Sequence, residues 1–392
     1  KRIALTILQM VGIKSSDIVI GLTGFLVSIP VFCDSGFVIL SSLAKELSRL
    51  TKKSMILIGG MLGMGLYITH FMVPPTPGPL AVAGAFKIDI GLFILYGLLI
   101  SIPMFIVAVF YFRWVSSKHP DIIPPRDEEE MKALSPEQRA VLENIEAKHN
   151  AGQELSKEDF TALLKDDKLP GTAISFATLL IPVFLILLNT LCGLAVKNGV
   201  GIPPAVMSVV LLIGHPVCAV FISVLMATYM LCGSMPREEA VLSMEKSLAD
   251  AGLIVFVTGA GGALGMVIRT TGAGDMMAQA IAGSSLPVIL VPLLIGTLLR
   301  FPQGSGTVAM ITGANILAPM LEAGLAIDPL IAGLALCTTA MFPSYLNDSY
   351  FWVVTRFSGF EVKTSLQTWT VGTFVIPFTA SIILCIVNTF FF

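Results

Sequence analysis

Runs of apolar residues with no charge among them recur along this 392-residue chain, at 91–112, 171–196, 205–232, 276–299 and 366–392. Each exceeds the ~18 residues that mark a bilayer-spanning helix. The pattern therefore predicts an all-α polytopic membrane protein. The runs recur to the end of the chain, so none reads as a cleaved signal peptide.

The polar positions are unevenly placed. Residues 113–170 carry 13 of the 26 acids and 9 of the 24 bases, which predicts a water-exposed cytoplasmic insertion. Within it, Ser135-Pro136-Glu137-Gln138 and Ser156-Lys157-Glu158-Asp159 are N-cap signatures that predict a helical hairpin split at Asn150-Ala151-Gly152. The expected division is a transmembrane region at 1–112, the insertion at 113–170, helices with an amphipathic linker at 171–250, and a second transmembrane region at 251–392. The chain begins at Lys1 with residues that already read as helix, so an N-terminal part is expected to precede it.

Outside the insertion most acids flank apparent helix ends, and Asp34 and Asp348 are the exceptions. They fall where Pro, Gly, Ser and Asn interrupt apolar sequence, in "IPVFCDSGF" and "MFPSYLNDSYF". Ionisable groups at membrane depth are costly and tend to be functional.

The same plan occurs twice. An apolar helix at 18–31 leads into Asp34-Ser35-Gly36, an apolar half-segment, a polar loop, a second helix at 54–73 and "PPTPGP". A helix at 286–299 leads into "FPQGSGT", the segment 308–321, a loop, a helix at 330–342 and "PSYLNDS". Ser35 to Thr76 spans 41 residues and Ser305 to Asp348 spans 43. The middle loop of the first copy carries Lys45, Arg49, Lys52 and Lys53, and that of the second only Glu322 and Asp328. By the positive-inside rule the copies are expected to be inverted. Inverted repeats with broken helices and re-entrant hairpins are the pattern of secondary transporters, whose substrates meet exposed backbone at the breaks. An elevator-type motion is the fold-level analogy.

Composition agrees: 55% of residues are hydrophobic and 13% charged, with mean hydropathy +0.86. A net charge of −2 gives no basic footprint for nucleic acid. Six scattered cysteines form no metal-ligand spacing and read as small buried hydrophobes, so no metal is expected.

Four motifs in order, "GLYITHFMVPPTPGPLAVAG", "GAGGALGMVIRTTG", "LRFPQGSGTVAMITGANI" and "NDSYFW…LQTWTVGTF", resemble the gluconate permease (GntP-type) family of bacterial inner-membrane symporters. The likeness spans almost everything but the insertion. It implies proton-coupled uptake of gluconate or a related sugar acid, without a cofactor; one relative carries D-serine. It also implies opening spans absent from this chain and, by analogy, a homodimer. Where the family usually reads "PPHPGP", a "VDSG"-like string and a serine-histidine pair, this chain has Thr76, Arg269-Thr270-Thr271-Gly272 and Ser344-Tyr345. A histidine and an acid are thereby missing from the site region.

A small anionic hydroxycarboxylate needs N–H donors for its anion and hydroxyl or amide groups for the rest, which helix N-termini and glycine-rich turns supply. The candidate contacts are Gln303, Gly304, Ser305, Gly306 and Thr307. Their counterparts are Asn347, Asp348 and Ser349, then Asp34, Ser35 and Gly36, then Thr76, Pro77 and Gly78. Arg300 is placed either to meet the substrate carboxylate or to reach an interface. Asp348, Asp34 and His70 are the candidates for proton coupling, with sodium coordination by either acid also open. Arg269 reads as an interfacial anchor, and Gly259, Gly261, Gly262 and Gly265 as close helix packing.

Other classes fit less well. A sodium-coupled carrier of a dicarboxylate or amino acid is a sister reading within transport. Gly272-Ala273-Gly274-Asp275 matches the GxGD string of intramembrane aspartyl proteases, but neither a Tyr-Asp nor a Pro-Ala-Leu string accompanies it. The broken elements offer dispersed uncharged polar groups instead of the charge expected of a channel ring.

Overall fold

The structure is a computed structural model that describes residues 15–125, 171–197, 199–231 and 286–391, with scattered positions elsewhere. The GAGG segment, Arg269, Asp275 and most of the charged insertion fall outside the described residues. Among those described, the regular structure is all helical.

In chain order the helices are α1 (Ser16–Val27), α2 (Cys33–Thr51), α3 (Met55–Met72), α4 (Pro77–Ala85) and α5 (Ile90–Ser116). After the insertion come α6 (Thr172–Lys197), α7 (Pro204–Ile213) and α8 (Pro216–Met226), the last running into a π-helical turn, Ala227–Leu231. The C-terminal part holds α9 (Leu290–Gln303), α10 (Gly306–Glu322), α11 (Pro329–Thr339), α12 (Ser349–Ser358) and α13 (Val362–Ser365). A second π turn, Leu366–Thr370, joins α13 to α14 (Val371–Phe391).

All 18 residues of α3 are buried. Its sequence, MILIGGMLGMGLYITHFM, is apolar or small on every side, as a helix surrounded by others must be. Four glycines let neighbours approach: a Cβ at Gly59 would meet the Ser358 hydroxyl, at Gly60 the Phe112 ring, at Gly63 the Trp369 ring, and at Gly65 the Gly21 carbonyl of α1. Such small-residue contacts are how helices associate where hydrophobic exclusion cannot drive them together. Ser54 caps α3, with its Oγ accepting from Ile56 N at 3.3 Å.

On the outside, α5 exposes Leu99, Ile102, Ile106 and Phe110, and α7 and α8 expose Val209, Leu212, Val217 and Phe221. These surfaces suit hydrocarbon. Among the described residues four helical segments are long and apolar enough to cross a membrane, or five if α7 and α8 count as one span.

Two runs differ from their sequence pattern. The stretch at 205–232 reads as one span, yet α7 and α8 meet at a 63° bend. Pro216 holds His215 extended, at φ −63° and ψ 131°, because a residue before proline is sterically kept out of the helical region. At the other run, α9 continues three residues beyond 300 before it stops at Gly304, whose φ of 71° is a left-handed cap that favours glycine.

The order short helix, break, helix, loop, helix, break, half-helix occurs in α1 to α4 and again in α9 to α12. The four breaks lie at residues 28–32, 73–76, 304–305 and 340–348.

Candidate functional site

Each break ends one helix and presents the N-terminus of the next. Phe32, Thr76, Ser305 and Asp348 are the N-cap residues of α2, α4, α10 and α12. The first backbone N–H groups of a helix have no intrahelical partner and carry the positive end of its dipole.

The breaks are linked in a closed circuit. Ser349 Oγ donates to Asp34 Oδ1 at 3.4 Å, joining α12 to α2. The rings of Phe32 and His70 lie 5.6 Å apart, joining the start of α2 to the end of α3. His70 Nε2 lies 3.4 Å from Thr307 Oγ1, joining α3 to the first turn of α10. Gly304 lies so close to the Asn347 carbonyl that a Cβ there would clash, which closes the circuit from the third break to the fourth. Gly306 packs equally closely on the Phe71 ring.

Polar groups are accessible around this circuit. Ser35, Gln303, Asn347 and Ser349 are exposed, and Asp34, Ser305 and Thr307 are half-buried. Ser305 Oγ accepts from Val308 N at 3.4 Å. Asn347 Nδ2 donates to the Phe301 carbonyl at 2.8 Å, and Tyr345 Oη donates to the same oxygen at 2.6 Å.

Behind the circuit is a buried charge network. Arg300 is fully buried. Its Nη2 donates to Asp348 Oδ2 at 2.6 Å and to Tyr67 Oη at 3.1 Å, and its Nη1 donates to the Gly304 carbonyl. Asp348 Oδ1 accepts from Tyr350 N at 3.1 Å, capping α12, and Oδ2 also accepts from Ser344 Oγ. Trp369 Nε1 donates to Ser344 Oγ at 2.9 Å, Thr370 Oγ1 to the Ser344 carbonyl at 2.8 Å, and Tyr67 Oη to the Met341 carbonyl at 2.6 Å. The two charges thus offset each other, and the surrounding donors and acceptors supply most of the further bonds that a buried ion pair requires, Arg300 Nε alone of the guanidinium nitrogens being buried without a partner.

The sequence candidates therefore divide. Arg300 and Asp348 face each other, away from the exposed polar groups. Thr76 is buried and its hydroxyl donates within its own break, to the carbonyls of His70 at 2.9 Å and Val73 at 2.8 Å. Pro77 opens α4. Gly78 packs on Met310 and Gly36 on Leu66. Asp34 has the Ser349 hydroxyl and the Cys33 thiol, at 3.7 Å, as its side-chain partners, and no cation among the described residues pairs with it. Tyr67, Tyr350 and Trp369 went unremarked at the level of sequence. Each is buried and carries one polar atom into the interior, and a buried Tyr or Trp must find a partner for it.

Comparison with known proteins places this arrangement. Residues 1–390 match the profile of the GntP family permeases. The chain belongs to the GntP permease family. An uncharacterized permease of Haemophilus influenzae is 36% identical over 378 residues, 95% of this chain and 72% of the relative. The gluconate permease of Pseudomonas aeruginosa is 30% identical over 371 residues, 94% and 75% of the two chains. The inner membrane permease YgbN of Escherichia coli is 30% identical over 384 residues, 96% and 78%. This GntP permease is a multi-pass membrane transporter, not an enzyme.

Proposed function

We propose that this permease is a secondary transporter of the bacterial inner membrane that imports gluconate or a closely related small hydroxycarboxylate in symport with protons. The observation that supports this reading is the closed circuit of four helix breaks. It brings helix N-termini, which favour an anion, together with the hydroxyls and amides of Ser35, Gln303, Ser305, Thr307, Asn347 and Ser349, which suit a polyol. Relatives with names in this chemistry are the gluconate permease of Pseudomonas aeruginosa and the L-idonate transporter of the Escherichia coli Gnt-II system, 27% identical over 373 residues.

In this reading α1–α5 and α9–α14 are two inverted copies, and the breaks meet near the middle of the bilayer. Asp34 is the coupling group. It is half-buried beside a hydroxyl and a thiol, whereas Asp348 is already paired with Arg300. A proton gained and released at Asp34 changes the charge beside the substrate, and the paired Asp348 keeps the breaks together throughout the cycle.

Uptake of labelled gluconate into proteoliposomes in sodium-free buffer, with the interior alkaline, tests the proposal. Accumulation that collapses with a protonophore is the expected result. Accumulation that needs sodium, or no uptake of gluconate, idonate or other sugar acids, overturns it.

A further inference from the structure

The carbonyl oxygen of Phe301, in the last turn of α9, gathers two side chains of the fourth break. Tyr345 Oη donates to it at 2.6 Å and Asn347 Nδ2 at 2.8 Å. Asn347 Nδ2 also faces Tyr345 Oη at 3.3 Å. The Tyr345 and Phe301 rings are in contact, with centroids 5.4 Å apart, so packing as well as the hydroxyl holds the phenol at this carbonyl. A Cβ on Gly304 would meet both the Asn347 carbonyl and its side-chain Cγ; the third break is thus shaped to seat this residue.

These contacts determine the sense of the Asn347 amide. A carbonyl oxygen only accepts, and a tyrosine hydroxyl has one hydrogen. That hydrogen is committed to Phe301, so both oxygens beside Asn347 offer lone pairs and select its NH2 group. The reversed amide would set Oδ1 against two acceptors. Oδ1 therefore faces away from Phe301 and Tyr345, and no donor among the described residues reaches it. Asn347 is exposed at the circuit of breaks. The exposed hydroxyl beside it has the same polarity: Ser349 Oγ gives its hydrogen to Asp34 Oδ1 and keeps lone pairs only. A ligand group at this point has to bring the hydrogen.

We infer that Asn347 is a specificity-determining residue, whose Oδ1 accepts a hydrogen bond from one hydroxyl of the substrate. The Phe301 carbonyl and Tyr345 are positioning groups that hold the amide in this sense without touching the substrate. This rests on the proposed function and names what that site demands: a hydroxyl that donates, not a keto, ether or deoxygenated carbon. A site built to bond a hydroxyl discriminates against the analogue that lacks it, because the site group is left unpaired.

Fluorine tests the sense, since it replaces a hydroxyl at similar size but has no hydrogen to donate. Binding to the purified full chain is measured by titration calorimetry for gluconate and for analogues lacking each hydroxyl in turn, with hydrogen or with fluorine in its place. Native protein, Asn347→Ala and Tyr345→Phe are compared. Asn347→Ala leaves the Phe301 carbonyl bonded to Tyr345, so the break keeps its tie between α9 and α12, and a melting curve checks this. The expected result is one carbon at which both analogues bind native protein about tenfold more weakly than gluconate. That penalty disappears in Asn347→Ala, shrinks in Tyr345→Phe, and is unchanged at the other carbons. If the fluoro analogue at that carbon binds native protein as gluconate does, the amide donates and the inference is overturned. Penalties identical in native protein and Asn347→Ala at every carbon also overturn it and leave the transport reading in place. A penalty unchanged in Tyr345→Phe overturns the positioning role of Tyr345. Native protein that binds neither gluconate nor another sugar acid overturns both the inference and the proposed function.

Discussion

Arg300 and Asp348 lie 48 residues apart in sequence and 2.6 Å apart in space, and they connect the end of α9 to the start of α12. Neither has free access to solvent, so each is the other's charge compensation. Removing one partner strands a buried charge, which costs about 3–5 kcal/mol. Asp348→Asn keeps an oxygen as the cap acceptor for Tyr350 N but loses the charge and places an NH2 group where Arg300 and Ser344 donate, so it tests the ion pair without removing the cap. The expected result is a large drop in thermal stability for Asp348→Asn and for Arg300→Gln alone, and partial recovery in the double variant. Additive losses in size-exclusion melting curves would show that the pair is not coupled.

Gly65 gives a second stability prediction. Its missing Cβ leaves room for the Gly21 carbonyl, and backbone cannot turn aside as a flexible side chain does. Gly65→Ala is expected to separate α1 from α3 and to cost about 1–3 kcal/mol. Gly84, in α4, has nothing within 4 Å of the same position, so Gly84→Ala should be neutral or slightly stabilising, because alanine favours helix. Parallel melts of the two variants check the contrast.

The positions of the breaks were legible because Pro, Gly, Ser and Asn interrupt apolar sequence at Asp34, Thr76, Ser305 and Asp348. Pattern alone marks where a helix stops, but it does not say which stop faces which. Arg300 shows the consequence: its place before "FPQGSG" fitted a substrate contact and an interface anchor equally, and only the fold brings it to Asp348. Gly78 and Gly36 show another limit. A glycine at a break signals close approach, yet the neighbours that approach, Met310 and Leu66, come from distant sequence. The buried network at Tyr67, Tyr350 and Trp369 had a weaker signal, one polar atom on each large aromatic side chain, and its partners also lie far along the chain.

A different ion cluster should behave more mildly. Asp17, fully buried at the start of α1, accepts from Lys53 Nζ at 2.8 Å and from Arg113 Nε at 2.7 Å. It thereby ties α1 to the α2–α3 turn and to the end of α5. The Lys53 and Arg113 side chains are 26% and 47% exposed, so on losing Asp17 they can turn to water, as Arg300 cannot. Asp17→Asn is therefore expected to cost about 1–2 kcal/mol, between the values for surface and buried pairs, and less than Asp348→Asn. The ranking of the two melting midpoints is the check, and the reverse order would mean that exposure of the cations does not control the penalty.

Asp34 separates coupling from binding. A proton symporter must return empty, with its coupling group deprotonated, to complete net uptake; exchange of substrate for substrate needs only the loaded form. Asparagine at 34 resembles the protonated acid in shape and charge and keeps an oxygen for the Ser349 hydroxyl. Asp34→Asn is thus expected to abolish accumulation driven by the proton gradient while retaining exchange of labelled for unlabelled gluconate. Both are read in the same proteoliposomes by varying only the internal solution. Accumulation at the native level would remove Asp34 from the coupling role and leave His70 as the titratable group of the circuit, since Asp348 is held by Arg300.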